Sequence, residues 1–282
     1  MYIKSKKAAL KHTLKPLLVL FFTVMFITFV GIPLVYAFLW SSVNPDYPWG
    51  YDSVLPQNPN FYNWEYVFKY SGLLVAIKNS FIIAPLTVIL TLILALPTAY
   101  ALGRKKLKGK EFFKIIVLLP MALPSMAISL FLGRTLYDMQ LTGTYIGVIM
   151  GHTFVTMAYM LRCLITAFEG VPQDLLDAAA NLGAGNWNKL KNVYLPMILP
   201  GLIAGSMFSF IHSVEEFNMS FIIGAPEITT ITTVLFSFMG DNFMRTRASV
   251  VSLVLLIPNM LVLFITERRI KTEYMGAALG KM

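Results

Sequence analysis

Residues 171–200 read VPQDLLDAAANLGAGNWNKLKNVYLPMILP, a polar stretch between two strongly hydrophobic segments. Its first apolar residues recur at helical spacing and predict one apolar face: Leu175, Leu176, Ala179 and Leu182. Gln173 or Asp174 is expected to cap this helix, and Gly183 to end it, because glycine accepts the left-handed conformation of a sharp turn. An amphipathic helix outside the bilayer needs a surface that buries its apolar face. The alternatives are a partner protein, the lipid headgroups and the chain's own helices.

A second short helix is predicted directly after this turn. Its apolar residues are Trp187, Leu190 and Tyr194. Lys189 and Lys191 are expected on its exposed side. Pro196 fits the start of the next membrane helix, where the missing N–H of proline costs nothing.

This stretch resembles the cytoplasmic loop by which membrane subunits of binding-protein-dependent ABC importers dock on their ATPase. The residues that carry the resemblance follow the family pattern E-A-A-x3-G-x9-I-x-L-P: Asp177, Ala178, Ala179, Gly183, Val193, Leu195 and Pro196. Two positions depart from the pattern, since Asp177 replaces Glu and Val193 replaces Ile. The resemblance implies that Asp177 contacts the ATPase electrostatically, although its shorter side chain reaches only a nearer or water-bridged partner. It also implies which residues supply the apolar contact: Leu175, Leu176, Leu182 and Trp187.

The composition of the whole chain indicates an integral membrane protein. The 282 residues are 57% hydrophobic and 13% charged, with a mean hydropathy of +0.68, whereas soluble domains carry about twice that charged fraction. The net charge of +9 does not indicate nucleic-acid binding, because the basic residues cluster beside the hydrophobic segments. The single cysteine, Cys163, excludes an internal disulfide framework.

Six segments are long enough to cross a bilayer, which takes about 20 apolar helical residues each. They are 17–40, 72–102, 112–133, 144–168, 197–219 and 247–266. We therefore predict an all-α membrane protein in which residues 17–268 form one transmembrane domain with a coupling loop over 169–196. Lys and Arg number 17 on the side of the 1–16 and 269–282 tails and four on the opposite side. This asymmetry predicts that both termini and the coupling loop lie in the cytoplasm.

Several polar or small residues inside these segments are expected to serve helix packing. His152 is interpreted as a packing histidine, while Asn79, Ser80 and Asn259 are expected to bond across helices. Glycines spaced four apart in 143–151 and 201–205 predict close helix approach within the chain, with a subunit interface as the alternative.

A polar cluster marks the outer end of the fifth segment and predicts a solute path. Ionisable residues at membrane depth are costly and usually face a cavity or a partner. Four residues share one face in helical projection, and Glu215 is displaced from them by about 100°: Ser209, His212, Ser213 and Glu216. The alternative is that the two acids rim the outer interface or pair with Arg245 and Arg247.

The Ser213-x-Glu215-Glu216-Phe217 sequence is similar to the polyamine-type branch of these permeases, in which an acid-rich segment occupies the same place. Carboxylates that line a path attract cations and repel anions. The resemblance therefore implies a polyamine substrate such as spermidine or putrescine. Permeases for phosphonate, iron or thiamine have similar membrane subunits and stay open as alternatives.

The sequence shows no site for catalysis, and the chain is not expected to be an enzyme. Residues 103–111 have five residues between their glycines and Glu111 after the lysine, which departs from a phosphate-binding loop. The three histidines are too far apart in sequence to suggest a metal site. No cofactor is expected on this chain.

The resemblance implies the type I ABC importer transmembrane-domain fold and a larger assembly in the cell (inner) membrane. That assembly contains two permease subunits, expected to be a heterodimer, an ATPase dimer that binds ATP and Mg²⁺, and an extracytoplasmic solute-binding protein. Two other classes stay open. A secondary transporter would need internal repeats and would leave the coupling loop idle, whereas a membrane scaffold would not need acids in the fifth segment.

Overall fold

The computed structural model describes residues 2–50, 52–240 and 244–279, with side chains over 16–50, 52–240 and 244–267. All regular elements in these ranges are helical. The α-helices are α1 Tyr2–Ser41, α2 Tyr62–Tyr70, α3 Leu73–Arg104, α4 Lys110–Leu118, α5 Ser125–Asp138, α6 Tyr145–Glu169, α7 Gln173–Asn181, α8 Asn186–Lys189, α9 Leu195–Glu215, α10 Ile231–Met239 and α11 Arg245–Leu279. A 3₁₀ turn covers Leu119–Met121, and π-helical turns cover Leu190–Tyr194 and Ser220–Gly224.

The third predicted span, 112–133, is not one straight helix. The helical run Lys110–Met121 and α5 meet at an angle of 94°. Pro120 and Pro124 flank this break, and proline both lacks an N–H donor and disfavours a helical conformation in the residue before it. In the described residues five helices are long and apolar enough to span, and six if the bent pair crosses as one span.

The fifth predicted span is longer towards the coupling loop than expected. An uninterrupted helical run extends over Asn186–Glu215 and joins α8, the Leu190–Tyr194 turn and α9. The expected short helix after the turn is α8, and α9 starts at Leu195 with Pro196 in its first turn, as predicted; the difference is that no break separates them. The π-turn Leu190–Tyr194 ends two residues before Pro196. Helices commonly bend at π-turns and at prolines.

Two short helices lie between the predicted spans. α2 and α10 have nine residues each, too few to cross a bilayer. Both contribute to a buried cluster with the N-terminal parts of α3 and α11, which includes Val67, Leu73, Ile231 and Val251. These helices thus close the end of the bundle opposite the coupling loop.

The core of the bundle is formed by α3, α6 and α9. Gly201 and Gly205 on α9 face α6 so closely that an added Cβ would lie 2.5 Å from the Ala167 Cβ and 2.7 Å from the Met160 Sδ, respectively. The glycines of the fifth segment therefore serve packing within the chain. Gly143 differs, because it precedes α6 with a φ of +72° and does not lie on a helix face.

The first helix contributes little to this core. α1 packs along α11, and none of the residues in its apolar window is buried. Its long exposed apolar surface is suited to lipid or to another subunit in the membrane.

Candidate functional site: a coupling surface and a membrane cavity

The coupling loop begins with α7, which ends in a tight turn at Gly183. Gly183 has a φ of +78°, its N–H donates to the Ala180 carbonyl, and the Ala184 N–H donates to the Ala179 carbonyl. This pair of bonds is a Schellman motif, in which glycine is favoured because the left-handed backbone conformation strains other residues. The structure thus places a turn where the sequence predicts one.

The start of α7 differs from the expectation that Gln173 or Asp174 caps it. The residue before the helix is Pro172, and no side chain caps the first turn. Gln173 instead accepts a 2.6 Å hydrogen bond from Arg104 Nη2 and donates to Asp177 Oδ1 at 2.9 Å, while Arg104 Nη1 donates to the Val171 carbonyl. The end of α3 therefore fixes the start of the coupling helix.

The predicted apolar contact residues divide into exposed and buried side chains. Leu182 is 88% exposed, Trp187 72% and Leu175 46%. Leu176 is only 6% exposed and belongs to the core cluster with Tyr194 and Phe168. The expectation that Leu176 supplies contact to a partner is wrong, because its position on α7 faces the bundle and anchors the helix there.

The remaining predicted coupling residues lie mostly on the surface. Asp177, Ala178, Leu195 and Pro196 are exposed, and Ala179 is half-buried. Behind them a cavity of about 750 Å³ separates α7 and α8 from the end of α3, and its lining includes Tyr100, Arg104, Asp177 and Lys189. The coupling loop is therefore attached to the bundle at its ends while leaving an exposed apolar and acidic surface.

A second, smaller cavity lies beside the break in the third span. It has a volume of about 260 Å³ and is lined by Pro120, Met121, Leu123, Ser125, Ile128, Val155, Tyr159, His212 and Glu216. The rings of Tyr159 and His212 stack with their centroids 3.9 Å apart. This lining combines one carboxylate with aromatic faces and contains no Lys or Arg.

The five predicted path residues do not all face this cavity. Only His212 and Glu216 line it. Ser213 is buried against His152, and Ser209 is buried with no hydrogen-bond partner for its hydroxyl among the described residues. Glu215 is exposed and accepts a 2.6 Å hydrogen bond from Asn259. The helical projection is therefore wrong for the two serines, because one side of α9 divides between the cavity and the contact with α6.

The backbone is interrupted at Glu216, which explains why this carboxylate reaches the cavity. α9 ends at Glu215, and Glu216 has an extended conformation with a ψ of 106°. Its Oε1 accepts a hydrogen bond from the Met219 N–H at 3.2 Å. Across the cavity, Asn218 donates to Ser125 Oγ at 2.7 Å and connects this break to the start of α5.

The alternative, in which Glu215 and Glu216 pair with Arg245 and Arg247, is not seen among the described residues. Arg245 lies over the Trp40 ring and Arg247 over the Tyr66 ring, with 5.8 Å and 3.4 Å from the guanidinium carbon to the ring centroid. Asn79, Ser80 and Asn259 do bond across helices as expected.

Sequence reasoning missed Tyr159 and Ser125 as cavity residues. Tyr159 lies seven residues after His152 on α6, so its helical register was available, but nothing in the sequence pairs it with His212. Ser125 was hidden inside a segment that was expected to be a continuous apolar helix. Both reach the cavity because the third span bends.

The amino-acid sequence is similar to those of known membrane-transport proteins. Residues 95–271 match the protein family described as "Binding-protein-dependent transport system inner membrane component". The chain is 26% identical over 227 residues, 80% of its length and 99% of the relative's, to the "Putative ABC transporter permease protein ORF1" of Streptomyces antibioticus. It is 30% identical to the "Molybdenum transport system permease protein ModB" of Azotobacter vinelandii, over 55% of this chain and 76% of that one. It is 28% identical to the "Sulfate transport system permease protein CysT" of Escherichia coli K12, over 71% and 77%.

Solved structures of transporters share the fold. A chain of a bacterial ABC transporter involved in the import of the acidic polysaccharide alginate superposes with a TM-score of 0.69 at 19% identity, over 88% of this chain and 96% of that one. A chain of the inward-facing MetNI methionine ABC transporter gives a TM-score of 0.61 at 18% identity, over 71% and 95%. These neighbours have type I ABC importer transmembrane domains, so the predicted fold class is confirmed.

Proposed function

Since the chain belongs to the family of binding-protein-dependent transport system inner membrane components, whose members are non-catalytic membrane subunits of ABC transporters, we propose that α7, the Gly183 turn and α8 form its docking surface for the ATPase. The observation that carries this proposal is the exposure of Leu175, Leu182 and Trp187 on a loop held firmly by α3. Large apolar side chains exposed together outside the apolar spans are typical of a surface that a partner covers. Asp177 adds one negative charge to this surface.

The coupling surface is mechanically continuous with the cavity. The helical run Asn186–Glu215 starts at the coupling loop and ends directly before Glu216. A displacement of α8 is, in this proposal, transmitted through this run to the far end of α9. In this proposal, closure of the ATPase pair moves the docking surfaces together, and α9 transmits that movement to the cavity as alternating access.

The rest of the assembly follows from the family and is proposed on that ground. ATP and Mg²⁺ bind to the partner ATPase dimer, a second related permease completes the translocation path as a heterodimer, and an extracytoplasmic binding protein delivers the solute. The chain is a multi-pass membrane protein. Both termini and the coupling loop are assigned to the cytoplasm on the distribution of Lys and Arg.

The cavity chemistry supports a solute that carries an ammonium group. Glu216 offers a carboxylate, and the ring of Tyr159, which stacks on His212, lines the same cavity. A carboxylate and an aromatic face both attract cations, most strongly where water is excluded. Polyamines fit this chemistry, and the small volume suits one end of an extended amine rather than a folded large solute.

The relatives favour a second candidate for the transported solute. Two of those named above are described as permeases of molybdenum and sulfate transport systems, which suggests an oxyanion. Oxyanion sites are typically built from N–H and cationic donors, and the described lining of this cavity offers His212 but no Lys or Arg. The proposal of an amine therefore depends on Glu216 contacting the solute.

Docking is tested by changing one exposed leucine. Leu182→Asp is expected to abolish co-purification of the ATPase with this chain, because a desolvated carboxylate opposes burial at an apolar interface. Val54→Asp is the matched control, since Val54 is 90% exposed in the segment after α1 and lies far from α7 in sequence. Equal recovery of the ATPase with both variants would show that Leu182 is not at the docking surface.

The solute is tested with Glu216→Gln in the importer reconstituted in vesicles with its ATPase and binding protein. Glutamine keeps the oxygen that accepts from the Met219 N–H, so the change removes charge and preserves the local bond. Uptake of labelled spermidine should fall about tenfold or more, because a charge interaction in a partly desolvated site exceeds about 1.4 kcal/mol. Glu215→Gln should leave uptake unchanged. Transport of molybdate or sulfate, with no spermidine uptake in the unmodified importer, would establish the oxyanion candidate instead.

A further inference from the structure

His152 is a buried residue of α6 that bonds to both sides of the interruption in the fifth span. It is 1% exposed. Its Nδ1 lies 2.9 Å from Ser213 Oγ, and its Nε2 lies 3.0 Å from Ser220 Oγ. Ser213 belongs to α9 before the break at Glu216, and Ser220 starts the π-turn after it. One imidazole therefore joins two segments that the helical backbone does not connect.

This contact requires a close approach of α6 to the segment after the break. An added Cβ at Gly151 would lie 2.7 Å from Ile223 Cδ1 and 3.4 Å from Met219 Sδ. A side chain at residue 151 would require the Ile223 side chain to shift. The glycine next to His152 is thus part of the same arrangement.

The neighbouring hydrogen bonds favour one tautomer of a neutral ring. The Ser220 hydroxyl donates to the Glu216 carbonyl at 2.9 Å, so its oxygen is left to accept a hydrogen bond from His152. A neutral imidazole with its proton on Nε2 donates to Ser220 and accepts at Nδ1 from the Ser213 hydroxyl. In this arrangement the two serine hydroxyls and the ring N–H each donate one hydrogen bond, and both ring nitrogens have a partner.

We propose that His152 is a positioning residue that sets the place of the Glu216 carboxylate in the cavity, acting through Ser220. The Glu216 carbonyl accepts from Ser220 Oγ and, at 3.3 Å, from Thr232 Oγ1. These bonds fix the backbone of Glu216, and its side chain is held by a bond from the Met219 N–H to Oε1. This inference rests on the proposed function of Glu216 as a solute contact, but the position itself is measured without transport.

A histidine that only filled space would behave differently. If His152 only filled space, His152→Leu would preserve the packing and leave residue 216 in place, because leucine has a comparable volume and no hydrogen-bonding atoms. Glutamine ends in an NH₂ group that donates and a carbonyl oxygen that accepts, so it would replace the bond to Ser220. The contrast between His152→Leu and His152→Gln therefore separates positioning from packing.

The test measures the reactivity of a thiol at the position of Glu216. Glu216→Cys is made in a Cys163→Ser background, and the purified assembled importer is treated with a small cationic methanethiosulfonate. Ser220→Ala and His152→Leu should each raise the modification rate about fivefold, the factor that corresponds to the loss of one net hydrogen bond. His152→Gln should restore the rate of the parent.

Ser129→Ala is the matched control, because Ser129 is fully buried on α5 and its hydroxyl donates only within its own helix, to the Ser125 carbonyl. It should leave the rate unchanged. An unchanged rate in Ser220→Ala would overturn the proposal, and this variant gives a reading even if His152→Leu fails to fold. If Glu216→Gln transports normally while the thiol rates change as expected, the positioning role holds and the solute assignment fails.

Discussion

At the scale of single residues, the two glycines after α7 have different roles. Gly183 has a φ of +78°, whereas Gly185 has a φ of −67°. Neither has an atom within 4 Å of an added Cβ, so substitution tests the backbone conformation alone. The closeness of these two positions provides a controlled comparison within one loop.

Gly183→Ala is expected to weaken coupling, and Gly185→Ala is not. A left-handed alanine costs about 1 kcal/mol, which disfavours the turn that carries Leu182 next to α8. The measurement is ATP hydrolysis by the assembled importer when the loaded binding protein is added. A fall in stimulated hydrolysis for Gly183→Ala alone supports the role of the turn, whereas an equal fall in both variants would assign the effect to loop packing in general.

At the scale of elements, the contact between α6 and α9 holds the bundle together. Gly201 faces Ala167 and the Cys163 carbonyl so closely that any Cβ must displace one of them. α9 is also the element that connects the coupling loop to Glu216. Its packing against α6 therefore supports both the stability of the fold and the transmission of movement.

Gly201→Ala is expected to lower stability, because overpacking of a close helix contact costs about 1–3 kcal/mol. Gly31→Ala is the control, since an added Cβ at Gly31 meets no atom within 4 Å and alanine favours a helix. Thermal unfolding in detergent is the measurement. If the thermal midpoint of Gly201→Ala equals that of the parent, α6 and α9 can move apart at residue 201 without a loss of stability.

At the scale of the whole molecule, orientation in the membrane follows from the positions of Lys and Arg. The coupling surface is expected in the cytoplasm, and the segment that contains Val54 is expected outside. Both Leu182 and Val54 are almost fully exposed, so a cysteine at either position is open to a reagent in solution.

Intact cells that carry Val54→Cys in a Cys163→Ser background should react with a membrane-impermeant maleimide. Leu182→Cys in the same background should react only after the cells are permeabilised. If Leu182→Cys reacts in intact cells and Val54→Cys only after permeabilisation, the orientation is the reverse of the one proposed. The coupling loop would then lie on the side without ATP, which contradicts the proposed mechanism.

The sequence by itself determined the fold class and the place of the amphipathic helix and its turn within 171–200. Long apolar segments have few ways to satisfy their backbone other than helices, and the fixed spacing from Asp177 to Pro196 is local enough to read without coordinates. The turn at Gly183 follows from the conformational freedom of glycine. Each of these features depends on residues close together in the chain.

Tertiary structure alone decided which side chains meet. The 94° bend between α4 and α5, the burial of Leu176 and the division of the polar face of α9 between His152 and the cavity all depend on neighbours distant in sequence. Helical periodicity gives the face on which a residue lies, but not which helix, lipid or cavity covers that face. For this reason Tyr159, Ser125 and the link from His152 to Ser220 emerged only when the helices were packed together.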